Sequence, residues 1–145
     1  MCDNVDMSHD LGRFIAAQHH AYDSALEELR DGRKQGHWMW FVFPQIKGLG
    51  SSFMAEHYAI DSLDEAKAYV TDPYLGGRLR DCVEAVNQVS HSSASEIFGW
   101  PDELKFRSSL TLFAAAAPHE PVFDEALRKF FGGEPCPLTL ERLAN

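Results

Sequence analysis

Glu56 is the carboxylate of this chain best placed to do chemistry. It lies just after the turn Gly48-Leu49-Gly50-Ser51-Ser52 and is followed by His57 and Tyr58. Ahead of the turn runs an aromatic stretch from His37 that contains Trp38, Trp40, Phe41 and Phe43. A carboxylate close to flat aromatic faces fits a pocket whose platform takes a base or a sugar. Trp38 or Trp40 would stack the base, the Gly48 to Ser52 turn would take a phosphate, and Lys105 would neutralise it. The bland alternatives are a solvated helical glutamate and a set of core aromatics.

The turn supports an anion site because glycines let a backbone approach closely and a helix follows directly. The same residues also read as a tight turn with a serine cap, and both readings can hold together. It is neither GxGxxG nor a Walker loop, and GxSxG is absent. His37, Gln45, Lys47, His57 and Tyr58 complete the ligand-facing set on this stretch. Lys105, Ser108 and Ser109 join it from a later helix, where a lysine with serines at i+3 and i+4 makes a polar strip on an otherwise apolar face. The bland reading of that strip is helix–helix hydrogen bonding. Seven histidines raise the question of metal, but His19 and His20 diverge on a helix and no paired cysteines, HExxH or EF-hand loop occurs. The expectation is a site with neither metal nor cofactor.

These residues must be held by helices. Asp10 reads as a cap for a helix whose stripe is Leu11, Phe14, Ile15, Tyr22, Ala25, Leu26 and Leu29, ended by Gly32 and Gly36. His37 to Phe43 has no polar alternation and fits a buried strand or a buried helical turn, and any strand content is expected there. Ser51 or Ser52 caps a short helix carrying Glu56. Ser62 to Glu65 and Ser93 to Glu96 are capping-box patterns, and Asp72-Pro73 and Pro101-Asp102 open two further helices. Pro118 stops the second of these. Pro121 starts a helix closed by Gly132-Gly133, and the tail from Thr139 adds a terminal turn. The sum is a mainly α, compact single domain spanning residues 1–145, with six or seven helices and a loose lead-in over 1–9.

Composition sets the outer limits. With 145 residues and 45% hydrophobic content, one well-buried core is expected. A net charge of −9 argues against non-specific grip on a nucleic-acid backbone. Cys2, Cys82 and Cys136 are sparse and unpaired in pattern, as in a reducing cytoplasm. No apolar run reaches membrane-spanning length, and the polar start is unlike a signal peptide. A cytoplasmic protein is expected, with a small nucleotide-like ligand as partner and no indication of protein partners.

The stretches HWMWFVFPQIKGLGSS, AEHYAI, DPYLGGRL, EIFGWPDELKFRSSLTLFA and GGEPCPLTL resemble an uncharacterised bacterial domain family, mostly α-helical and sometimes labelled calpastatin. The resemblance runs from about Leu11 to Leu143 and implies a helical fold. Separately, Ala55-Glu56-His57-Tyr58 is similar to the Ser-Glu-His-Tyr signature of the NADAR superfamily, small helical proteins of NAD and ADP-ribose metabolism that include N-glycosidases. That similarity implies a nucleotide- or ADP-ribose-like ligand and N-glycosidase chemistry, in which the C–N bond breaks through an oxocarbenium-like state and Glu56 stabilises the positive charge or activates water. The alternative is a non-enzymatic interaction module in stress response or regulation, with Glu56 and Lys105 as structural ion-pair partners.

Overall fold

The computed structural model describes residues 9–144, so the lead-in expected over 1–9 lies almost wholly outside the described residues. Ten helices form among the described residues: α1 Gly12–His19, α2 Tyr22–Arg30, α3 Met39–Val42, α4 Phe53–His57, α5 Leu63–Thr71, α6 Pro73–Asn87, α7 Ala94–Phe98, α8 Asp102–Ala116, α9 Pro121–Phe131 and α10 Pro137–Ala144. The mainly α expectation holds, but the count of six or seven does not. The stripe from Leu11 to Leu29 belongs to two helices, because a turn closed by the Ala21 amide on the Gln18 carbonyl (3.1 Å) separates them. Asp10 does not cap α1 through its side chain. The His37 to Phe43 segment resolves as the helical turn α3, and the tail from Pro137 makes two turns of α10.

Helix α8 is the axis. From Ser108 to Phe113 it is buried on every side, with small hydroxyls among its apolar side chains. It packs against α5, α7, α9 and α10. Phe106 on α8 is fully buried, with ring centroids of Phe98 at 4.5 Å and Phe43 at 5.0 Å. Helix α6 packs on α2, α5 and α9. Its Gly76 lies so close to the end of α5 that an added Cβ would sit 2.2 Å from the Val70 carbonyl oxygen.

Asp10 apart, the caps follow the sequence with one diversion. Ser93 and Glu96 form a complete capping box on α7, and Asp72 accepts from the Leu75 amide above the N1 proline of α6. Ser62 also caps α5, accepting from the Glu65 amide. The Glu65 side chain, however, accepts from the Asp61 amide at 2.6 Å and pairs with Arg13 at 3.0 Å. At 2% exposure it has become a buried anchor between α1 and α5.

Helices α6 and α9 are joined by a two-pronged ion pair. Arg80 Nε lies 2.5 Å from Glu120 Oε1, and Nη2 lies 2.7 Å from Oε2. The Arg80 hydrogen bonds hold the Glu120 carboxyl below its ordinary 4.5, against the opposing effect of burial. A carboxyl depressed by folding contributes stability above its unfolded pKa, and that contribution is lost as pH falls through the folded value. The melting temperature should therefore drop as pH is lowered below about 4.5. Glu120→Gln should flatten this acid slope while lowering the neutral-pH melting temperature, as thermal melts across a pH series would show.

Candidate functional site

Ile46 and Lys47, ahead of the glycine–serine turn, and Asp61 to Asp64, after α4, form one wall of a groove. The two are joined by a parallel bridge between Ile46 and Ile60. The Lys47 amide donates to the Ile60 carbonyl at 2.9 Å, and the Ile60 amide donates to the Gln45 carbonyl at 2.8 Å. This register sets Lys47 Nζ 2.9 Å from Asp61 Oδ1. Arg13 fixes the returning chain from behind, donating through Nε to the His57 carbonyl at 2.9 Å and through Nη2 to the Ala59 carbonyl at 2.7 Å.

The opposite wall comes from the far end of the chain. Helix α10 is attached to α8 by a buried hydrogen bond of 2.7 Å between Thr139 and Ser108. From there Arg142 reaches the turn, where Nη2 donates to the Gly48 carbonyl at 3.2 Å. Gly48 has φ +94°, and a Cβ added to it would lie 2.6 Å from the Arg142 guanidinium carbon. Only glycine both adopts that backbone without strain and leaves room for the guanidinium.

The groove encloses about 470 Å³. Ile46, Leu63 and Leu143 give it an apolar side, and Lys47, Asp61, Asp64 and Arg142 supply two charges of each sign. The Asp61 carboxyl is held below its ordinary range by its hydrogen bond from Lys47 and by that lysine's charge. Arg142 has no carboxylate within ion-pair distance among the described residues, so its charge is met by a backbone carbonyl alone. Such a surface can hold a molecule carrying both an anionic group and hydrogen-bond donors.

The other expected site residues are dispersed. Trp38 is buried at 3% exposure, its Nε1 donating to Glu28 at 2.9 Å and Lys34 Nζ lying 5.1 Å from its ring. It is a core residue with one polar edge and offers no open face to a base. Burial tends to raise the Glu28 carboxyl, but donors from Gly36, Gln35 and Trp38 outweigh it and hold the group below its ordinary range. Trp40 and Lys105 do come together, with Nζ 4.9 Å from the ring centroid, so the ammonium covers the indole face expected to be open. Lys105 pairs with Asp102 at 3.3 Å, and Asp102 also binds Lys34 at 2.8 Å. The expected Glu56–Lys105 pair does not form.

Glu56 stands exposed on α4, without an ion pair among the described residues, and does not line the groove. His57 is exposed and stacks on Phe53 at 5.5 Å, whereas Tyr58 turns inward onto Phe41 at 5.3 Å. His37 and Ser51 are exposed, and Gln45 contributes its backbone to the bridge. Ser52 caps α4 through the Ala55 amide. Gly50 is needed for close approach, since its Cβ would lie 2.8 Å from that of Ala55. Ser108 and Ser109 are core residues at the α8 interface rather than a ligand-facing strip. Of the groove's lining, the site residues expected from the sequence include Lys47 and not Asp61, Asp64 or Arg142. Asp64 lies in the Ser62–Glu65 capping pattern, which signals a helix start and not a site, and Arg142 arrives from 94 residues away.

Among the described residues, no group of three or more histidine, cysteine, aspartate or glutamate side chains could hold a metal ion, and no helix is long and apolar enough to cross a membrane.

Comparison with known proteins gives a fold relative but no assigned activity. The chain is similar to a conserved hypothetical protein, Rv1873 from Mycobacterium tuberculosis, known from a crystal structure. The two are 52% identical, the match covers 95% of this chain and 99% of that one, and the TM-score is 0.94. No curated protein matches. Residues 8–143 match the family described as protein of unknown function (DUF1810), and the chain belongs to that family.

Proposed function

We propose that this protein binds a small nucleotide- or ADP-ribose-like molecule in the groove between the Lys47–Gly48 turn, α5 and α10. The observation that carries this reading is the pairing of cations and carboxylates along an open groove with an apolar side. A phosphate would be received by Arg142 and Lys47, and sugar hydroxyls would donate to Asp61 and Asp64. Glu56 is not a lining residue, and the activity assigned to this groove is binding, carried by Lys47, Asp61, Asp64 and Arg142.

Thermal shift and titration calorimetry with ADP-ribose, AMP and NAD test the reading. A ligand present at 100 times its dissociation constant should add about 2.7 kcal/mol of stability. Lys47→Met and Asp64→Asn should each weaken binding about tenfold, the scale of one charge-assisted hydrogen bond. Glu56→Gln should leave the isotherm unchanged. Failure of all three compounds to shift the melt at millimolar concentration would reject the reading.

A further inference from the structure

We propose that the groove recognises the sugar-phosphate portion of its ligand and not a base, with Arg142, seated on Gly48, as the phosphate receptor and Asp64 as an acceptor for sugar hydroxyls. This rests on the groove being the ligand site and specifies which chemistry it reads.

Three observations converge. First, the groove lining contains no aromatic residue, so it offers no stacking platform for a base. The indoles that might have served are occupied elsewhere, Trp38 with Glu28 and Lys34, and Trp40 with Lys105. Second, Arg142 is prepared in a specific way. Its guanidinium lies where the Gly48 side chain would be in any other residue, fixed by a backbone carbonyl and without a carboxylate at ion-pair distance among the described residues. A guanidinium has five N–H donors, so one bond to Gly48 leaves others for a phosphate. Third, the carboxylates bias the choice. Lys47 is already paired with Asp61, both largely exposed, which leaves Arg142 and Asp64 as the groove charges without an ion pair among the described residues. Bare phosphate would be attracted by one and repelled by the other. A polyol phosphate satisfies both, with oxygens on Arg142 and hydroxyls donating to Asp64, over the apolar surface of Ile46, Leu63 and Leu143.

The test titrates the protein with ribose 5-phosphate, ribose, adenosine and ADP-ribose. Ribose 5-phosphate should bind, whereas ribose and adenosine should not. Arg142→Gln should weaken ribose 5-phosphate binding about 10- to 100-fold, the loss of a charge-assisted pair. Arg142→Lys should recover only part of it, because the charge remains but the planar fork is lost. Gly48→Ala, checked for folding by circular dichroism, should resemble Arg142→Gln because it displaces the guanidinium. Ribose 5-phosphate binding that ignores all three substitutions would overturn the proposal. So would adenosine binding as tightly as ADP-ribose, or ADP-ribose binding without ribose 5-phosphate, and these two would leave the nucleotide-like reading standing. Ribose 5-phosphate bound through Arg142 with ADP-ribose excluded would support the receptor and reject the nucleotide-like ligand. Binding by none of the four would reject both.

Discussion

Arg13→Met should cost the protein about 3–5 kcal/mol, because it leaves the Glu65 carboxylate buried without its partner. Arg13 and Glu65 side chains are only 13% and 3% exposed, so solvent does little to screen the pair or rescue a survivor. Arg13 also donates to the carbonyls of Asp10, His57 and Ala59, and its guanidinium lies 4.3 Å from the Phe14 ring centroid. One side chain thus ties α1, α5 and the segment after α4 together. Glu65→Leu should be comparably damaging, since it strands the guanidinium and frees the Asp61 amide. The double variant should lose much less than the sum, because it buries neither charge alone. Urea melts of the three variants against the parent measure this. Single substitutions costing under about 1 kcal/mol would mean that the pair behaves as an exposed one.

A loss of similar size is expected from Phe106→Ala. The ring is fully buried and stands among Phe43, Phe98, Phe130 and Phe131, with centroids between 4.5 and 6.4 Å. Truncation removes the transfer free energy of the ring and opens a cavity that neighbours on several helices cannot all close. Substitutions of this kind cost about 3–5 kcal/mol. Phe106→Leu keeps much of the volume and should cost markedly less, with the remainder coming from aromatic edge contacts. Equal melting temperatures for the alanine and leucine variants would show that the site collapses freely around either.

The helices that form were readable where local chemistry decides them. Ser93 with Glu96, Asp72 with Pro73, and Gly132 in its left-handed cap all act within a few residues, and each does what its sequence neighbourhood indicates. The reading failed where a tertiary partner outbid a local one. Glu65 left its capping box for Arg13, a residue 52 positions away. The long first stripe broke at His20 and Ala21, and its Gln18 carboxamide is buried, donating to the Phe41 carbonyl at 2.7 Å. The site divided in the same way. The Lys47–Gly48 turn is legible as a turn from its glycines, which have a local cause. Trp38 was misjudged because an indole whose N–H has a partner buries as readily as any core ring. Nothing near Arg142 in sequence indicates that it meets Gly48.

The bridge between Ile46 and Ile60 also bears on motion. Together with the Lys47–Asp61 pair it closes a ring of chain whose ends are 14 residues apart. Inside that ring lies α4, a helix with no buried residue. The entropy of bringing the ends together is already spent at the bridge, so melting α4 releases only the conformational freedom of a short tethered arc. Local opening of this kind separates from global unfolding. Backbone amides of α4 would exchange with solvent quickly, while the Lys47 and Ile60 amides at the neck of the ring stay protected. Opening of α4, which carries Glu56, can therefore leave the bridge and the Lys47–Asp61 pair in place.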